Sequence, residues 1–308
     1  MTVALYTHQD MFDHRPGDRH PESPERLASV IGALEDAALD LAPNDAPFVE
    51  EADLLKVHDR AYLDAIARMA PAEGRVHLDP DTSMSSGSLR AARRAAGAVV
   101  QAVRDVAAGA TQRAFCAVRP PGHHAEPGAS MGFCIYSNVA VAAHAAQRAG
   151  LRRVAVVDFD IHHGNGTQAA LGGRPDLFFA SIQSWPMWPG TGHPDEAVPG
   201  NIVNAPLAPR TGSDLFRDAF NSRVLPAIDN FQPDLVIVSA GFDAHRHDPV
   251  GGGGQSLEDT DFAWATRAIA SVANRHAKGR VVSSLEGGYD LQALGRSALA
   301  HVRALGEG

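Results

Sequence analysis

Five short apolar runs in this chain each end in a cluster of glycine and chemically active residues. Ala114–Val118 leads into Arg119-Pro120-Pro121-Gly122-His123-His124, and Val154–Val157 leads into Asp158-Phe159-Asp160-Ile161-His162-His163-Gly164-Asn165-Gly166. Phe178–Ile182 precedes a loop ending Trp188-Pro189-Gly190-Thr191-Gly192. Leu235–Ser239 precedes Ala240-Gly241-Phe242-Asp243, and Val281–Leu285 precedes Glu286-Gly287-Gly288-Tyr289. A short, continuously apolar run reads as a buried strand. In an open parallel sheet every strand ends on the same edge, and ligands bind there. The pattern therefore predicts one site assembled from five loops.

The rest of the chain fits such a sheet. Candidate strands are Val3–Tyr6, Ala114–Val118, Val154–Asp158, Leu177–Ile182, Leu235–Ser239 and Val281–Leu285. Between them lie amphipathic or alanine-rich stretches at Pro24–Leu41, Ser88–Ala108, Ser137–Ala149, Ser213–Phe231 and Leu257–Ala277. Ser23 before Pro24 is the pattern of an N-cap followed by proline at the first helical position. Strands alternating with helices predict an α/β fold, with an open, mostly parallel sheet covered by helices on both faces. No repeat, low-complexity segment or linker interrupts the chain, so one domain over residues 1–308 is expected.

Composition narrows the function. The formal charge is −9 with Lys and Arg scattered, which argues against a nucleic-acid partner, since that needs a basic face. It leaves a cationic substrate open. Two cysteines, Cys116 and Cys134, are too few for a cysteine zinc site or a disulfide framework, and both are expected as small buried apolar residues. No signal-peptide pattern or bilayer-length apolar stretch is present, so no membrane partner and a cytoplasmic location are the expectation.

Charged groups at the end of a buried strand are costly unless paired, and a metal ion is a common partner. Asp160 and His162 are candidate ligands, with Asp243 from a second strand end as a third. Two carboxylates and one imidazole leave a coordination position open, as catalytic zinc sites do. A lone aspartate is more ordinarily a cap or turn residue; the three positions together favour a metal. Asp158 and Asn165 can each hold one imidazole of the His123-His124 pair, and a histidine oriented in that way can move protons. Tyr289 can project its hydroxyl from the Gly287-Gly288 turn.

These residues resemble the histone deacetylase family of the arginase–deacetylase superfamily, with most likeness to its class II and bacterial amidohydrolase-like members. The likeness runs from Gly17-Asp18-Arg19-His20-Pro21-Glu22-Ser23-Pro24-Glu25-Arg26-Leu27 through Arg119–Glu126, Met131-Gly132-Phe133-Cys134, Asp158–Gln168, Pro189–Gly192 and Ser239–Ala244 to Leu285–Asp290. It implies one zinc ion per chain on Asp160, His162 and Asp243. It implies a catalytic group of His123 with Asp158, His124 with Asn165, and Tyr289 as donor to the substrate carbonyl. Asn165 resembles class II, because class I members carry Asp there. Tyr289 implies an active enzyme, because some class IIa members carry His there and deacetylate lysine poorly. The resemblance further implies a tunnel walled by Gly132, Phe133 and Trp188, Arg26 near the site floor, and Ser85 at the rim. A structural potassium ion on Asp158 and Ser181 is implied as well.

The implied activity is zinc-dependent hydrolysis of N-acetyl-lysine-type amides, on a peptide or a protein. Acetylpolyamine hydrolysis by the same mechanism is the alternative. Polyamine-selective relatives place a glutamate where this chain has Val250, and no acidic insertion lies between Val76 and Ser88. Less favoured are an arginase-like ureohydrolase, which needs further ligand pairs for two manganese ions, and a catalytically weak acyl-lysine binding protein. Oligomeric state is not readable from the sequence.

Overall fold

The computed structural model describes residues 1–196 and 200–307. Among the described residues twelve strands form: β1 (Val3–Thr7), β2 (Leu41–Asp45), β3 (Arg75–His77), β4 (Ser83–Ser85), β5 (Arg113–Cys116), β6 (Val154–Asp158), β7 (Leu177–Ser181), β8 (Ile202–Asn204), β9 (Thr211–Gly212), β10 (Leu235–Ala240), β11 (Gln255–Ser256) and β12 (Val281–Leu285). The helices are α1 (Pro24–Asp36), α2 (Glu51–Leu54), α3 (Arg60–Met69), α4 (Ser88–Ala108), α5 (Asn138–Arg148), α6 (Asn165–Leu171), α7 (Ser213–Ala219), α8 (Leu225–Phe231), α9 (Asp259–His276) and α10 (Leu291–Glu307).

Eight strands make one sheet in the order β2-β1-β5-β12-β10-β6-β7-β8, and every neighbouring pair is parallel. Strands β5, β6, β7, β10 and β12 are buried along their whole length. That is why they read as unbroken apolar runs: helices cover both faces of the sheet. Helices α4 and α5 pack together against one face, while α1, α9 and α10 form a second packed group against the other. The five strands with chemically active C-terminal loops are adjacent in the order β5-β12-β10-β6-β7, so their loops converge.

Several boundaries differ from the sequence expectation. The helix expected over Pro24–Leu41 stops at Asp36, Ala38 turns to a positive φ of 48°, and Leu41 enters edge strand β2. The Ser213–Phe231 stretch is divided by a π-helical segment at Phe220–Val224. Among the described residues, no helix is long and apolar enough to cross a membrane.

Candidate metal centre and catalytic site

β6 ends at Asp158, and the chain then turns so that Asp160 and His162 face the end of β10. Asp243 arrives there two residues beyond the Ala240-Gly241 turn. One donor atom each from Asp160, His162 and Asp243 lies within 4.8 Å of the others, and all three residues are buried. His162 Nδ1 is 3.2 Å from Asp160 Oδ1 and 3.2 Å from Asp243 Oδ2. The remaining carboxylate oxygens are oriented by backbone donors: Gly287 N–H to Asp160 Oδ2 at 2.9 Å and Ile161 N–H to Asp243 Oδ1 at 3.0 Å. A side chain at position 287 would place its Cβ 2.2 Å from Asp243 Oδ2, so glycine is required for the β12 loop to pass this close.

The electrostatics of the cluster fit a cation. Burial and the neighbouring Asp160 charge push Asp243 up to about 7. Burial works against the His162 cation, yet Asp160 and Asp243 push its imidazole up to about 10. The protein alone thus draws protons into the centre to offset its excess of buried carboxylate, as expected where a metal ion is the natural counter-charge. Hard carboxylate oxygens with one imidazole nitrogen suit zinc.

The two adjacent histidines stand beside this centre with ring centroids 3.8 Å apart. His123 Nδ1 bonds Asp158 Oδ2 at 2.9 Å, and His124 Nδ1 bonds Asn165 Oδ1 at 2.8 Å. Burial opposes charge on His123, but Asp160 and Asp158 raise it to about 10. His124 goes the other way: burial first, then the charges on His123 and His162, hold it well below its ordinary value. Without a metal ion, the pair therefore divides into a raised and a depressed imidazole. Their loop is pinned from behind by Glu286, which accepts from Gly122 N–H at 2.6 Å and His123 N–H at 3.1 Å.

A cavity of about 230 Å³ opens onto His124 and His162, lined also by Asp81, Gly132, Phe133, Met187, Trp188, Val250 and Tyr289. Gly132 and Phe133 both have positive φ, at 57° and 68°, and form one wall. A Cβ at Gly132 would lie 2.5 Å from the Trp188 ring, so a larger residue there would close the passage. Tyr289 meets Phe133 edge to face at 5.7 Å and lies over the Arg26 guanidinium at 4.8 Å. Burial keeps the Tyr289 phenol protonated far above its ordinary range. Larger clefts of about 470 and 650 Å³ adjoin the mouth along residues 15–25, the second reaching on to His77, Asp81 and Phe133, without the metal-binding cluster.

The structure brings together most of the residues singled out from sequence. Arg26 lies below Tyr289 and bonds the carbonyls of Gly288 (2.6 Å) and Glu286 (2.5 Å), without lining the cavity. Ser181 is the register partner of Asp158, and its hydroxyl is buried without a partner. Ser85 does not sit at the tunnel rim. It lies in buried strand β4, where its hydroxyl bonds the Asp13 carbonyl at 3.1 Å and meets Ser88 Oγ at 3.0 Å. The turn of the β3–β4 hairpin reaches the tunnel instead, and Asp81 is the residue it presents, accepting from Gly132 N–H at 3.0 Å. Asp81 and Met187 escaped sequence reading, because an isolated carboxylate or methionine has no spacing to mark it; Glu286 stood in the strand-end cluster, but without the anchoring role it takes here.

A histone deacetylase domain model matches residues 20–305. The chain is 38% identical over 278 residues to the histone deacetylase-like amidohydrolase of Pseudomonas aeruginosa, covering 88% of this chain and 72% of that protein. It is 35% identical to type-2 histone deacetylase 2 of Dictyostelium discoideum over 99% of its own length, but spans only 21% of that relative. The crystal structure of the HDA15 HD domain superposes with a TM-score of 0.93 at 34% identity, covering 99% of this chain and 88% of that one. The chain therefore belongs to the histone deacetylase family, whose members include deacetylases and amidohydrolases.

Proposed function

We propose that this protein is a zinc-dependent deacetylase that hydrolyses N-acetyl-lysine-type amides to a free amine and acetate. One observation carries the reading: a buried donor set of two carboxylates and one imidazole lies beside a neutral histidine and a protonated tyrosine at a narrow cavity. Asp160, His162 and Asp243 would hold one zinc ion. Bound there, zinc supplies Lewis acidity towards the amide carbonyl and the attacking water.

The chain's own groups account for the remaining steps. His124 is neutral, and its Nδ1 is engaged by Asn165, so Nε2 takes the proton of the attacking water and returns it to the departing amine. His123, its Nδ1 held by the Asp158 carboxylate, orients and electrostatically tunes the site beside His124. The Tyr289 hydroxyl donates a hydrogen bond to that oxygen. Gly132, Phe133 and Trp188 bury the methylenes of a straight stem. Asp158 and the unpartnered Ser181 hydroxyl offer oxygen donors to a structural potassium ion.

An acetyl-lysine peptide or protein is the favoured substrate, because Val250 lines the cavity and has no charge for a distant ammonium. One observation favours acetylpolyamines instead: the Asp81 carboxylate also lines the cavity. Its Oδ1 accepts from Gly132 N–H and the Thr82 hydroxyl, which fixes the carboxylate at the cavity wall. Turnover of acetyl-lysine peptides against acetylcadaverine decides between them; a large preference for the diamine would reverse the assignment.

Tyr289→Phe tests the reaction itself. The variant should keep its zinc and fold while losing about a hundred- to a thousandfold in kcat, the usual cost of one oxyanion donor. Wild-type turnover in this variant would contradict the role of the hydroxyl. A zinc-loaded wild type inert towards acyl-lysines would favour a binding protein. Two metal ions per chain would favour the ureohydrolase reading.

A further inference from the structure

The two histidines are supported differently, and the difference leads to a residue two positions beyond them. Asn165 accepts from His124 through Oδ1, while its Nδ2 lies 2.8 Å from Glu126 Oε1 and 3.3 Å from Met131 Sδ. We propose that Glu126 fixes the tautomer of His124 through Asn165, as a positioning residue for the proton-transferring imidazole. This rests on the deacetylase reading for its consequence, but not for its geometry.

A carboxylate oxygen only accepts hydrogen bonds, so the Asn165 atom facing Glu126 is the amide nitrogen. The planar amide then turns its oxygen to His124. An amide oxygen also only accepts, so Nδ1 of the neutral His124 ring carries the proton. The lone pair is left on Nε2, the nitrogen that must receive the proton of water. Without Glu126, only the weak thioether acceptor of Met131 would remain behind the amide, which could then rotate half a turn about its last torsion and present N–H to His124. That would select the opposite tautomer, whose Nε2 cannot act as a base. Asp158 needs no such support, because both of its oxygens accept and His123 Nδ1 has to donate whichever way the carboxylate lies.

Glu126 is built into its position. Its N–H donates to the Ala129 carbonyl at 2.9 Å, closing a tight turn. Its own carbonyl is 3.1 Å from His58 Nδ1, and His58 Nε2 in turn accepts from Ser137 N–H at 2.9 Å. The His58 ring is buried and anchors that turn to the start of α5.

Exchanging the two groups tests the relay. Asn165→Asp sets two carboxylates against each other at a contact of 2.8 Å, and their repulsion should push residue 165 away from His124 and lower kcat on an acetyl-lysine peptide by about tenfold or more, within the range of lost acid–base assistance. Glu126→Gln combined with Asn165→Asp restores the alternation of donor and acceptor, since the amide introduced at position 126 can donate to the carboxylate introduced at position 165. The double variant should recover at least about threefold over the single one, a coupling expected only of residues in one network. A double variant no better than Asn165→Asp would overturn the proposal. Nitrogen-15 NMR of labelled histidine in the zinc-loaded protein reads the tautomer directly. His124 should show Nδ1–H in the wild type and a mixture of tautomers in Glu126→Ala; pure Nδ1–H in that variant would also overturn it. The spectrum is independent of turnover, so an inactive wild type would count against the reaction and not against the relay.

Discussion

Two clusters of buried charge lie side by side beneath the catalytic loops, and they are balanced in opposite ways. In the first, Glu22 accepts from Arg119 at 2.6 and 2.7 Å and from Arg26 at 3.2 Å, with His14 at 3.1 Å. All four residues are buried, and two permanent guanidinium cations outnumber the single carboxylate. Burial alone would raise the Glu22 pKa, but Arg119 and His14 hold it well below the ordinary carboxylate range. In the second, Asp158, Asp160, Asp243 and Glu286 gather around histidines and no arginine. Burial pushes Glu286, like Asp243, up to about 7. The first cluster is satisfied by protein alone, because backbone carbonyls of Gly288, Glu286, Met11 and His14 accept the guanidinium donors that Glu22 does not. The second is short of positive charge, and that deficit fits a cation-binding site on Asp160, His162 and Asp243. Arg26 joins them, since it belongs to the first cluster and bonds the carbonyls of Glu286 and Gly288 beside Tyr289.

The contrast can be broken from either side. Asp243→Asn removes a ligand from the deficient cluster. It should abolish zinc binding and lower turnover by more than the roughly hundred- to thousandfold lost with a single oxyanion donor. Metal analysis and peptide turnover check both effects, and the fold should survive because a buried charge has been removed without orphaning a cation. Glu22→Gln in the balanced cluster should do the reverse. It leaves two buried guanidinium groups without their carboxylate and should cost about 3–5 kcal/mol in urea unfolding. Zinc should still bind to the folded fraction. A loss of zinc without loss of stability would show that the clusters are not separable.

The smallest expected effect concerns pH in the metal-free protein. Asp243 and Glu286 have folded pKa values of about 7, above their ordinary values of 3.8 and 4.5, so the folded state binds more protons across that interval. His123 and His162, at about 10 against 6.5, extend the same trend upward. Stability from the two histidines is fully present below pH 6.5 and is lost as pH rises through 10. Ionising the two acids also costs stability as pH rises through 7. Below pH 6.5 this trend is opposed by His58, His144, His163 and His301, which burial holds well below 6.5 and which favour the fold as pH rises to that value. The chelated protein should therefore lose thermal stability from about pH 7 to about pH 9, and the rise in Tm on adding zinc should grow over that range. A zinc-induced shift that shrinks with rising pH would contradict the charge-deficit account.

Much of this arrangement was legible in the sequence, for a physical reason. Strands β6 and β12 fall at Val154–Asp158 and Val281–Leu285 as expected, because burial on both faces leaves an unbroken apolar run. Edge strand β2 was not legible: Leu41-Ala42-Pro43-Asn44-Asp45 is half polar, carries a proline, and is exposed towards its end. The start of β2 also cut short the helix expected to reach Leu41, since no glycine or proline marks the stop at Asp36. Helix α6 begins inside the His-Gly-Asn motif and was hidden by it. At the site, clusters at strand ends could be read, but Asp81 could not, nor could the roles of Glu126 and Glu286 within their motifs. Their roles come from backbone and amide groups that only the folded chain brings near them. Ser85 shows the same limit, since proximity in sequence to the rim did not settle which residue of the hairpin reaches it.

Titration of the chelated protein with zinc, following bound metal and acetyl-lysine peptide turnover together, tests the central claim most directly. Turnover should rise in step with occupancy and level off at one zinc per chain. Saturated zinc with no turnover, or turnover that persists in the fully chelated protein, would contradict the account.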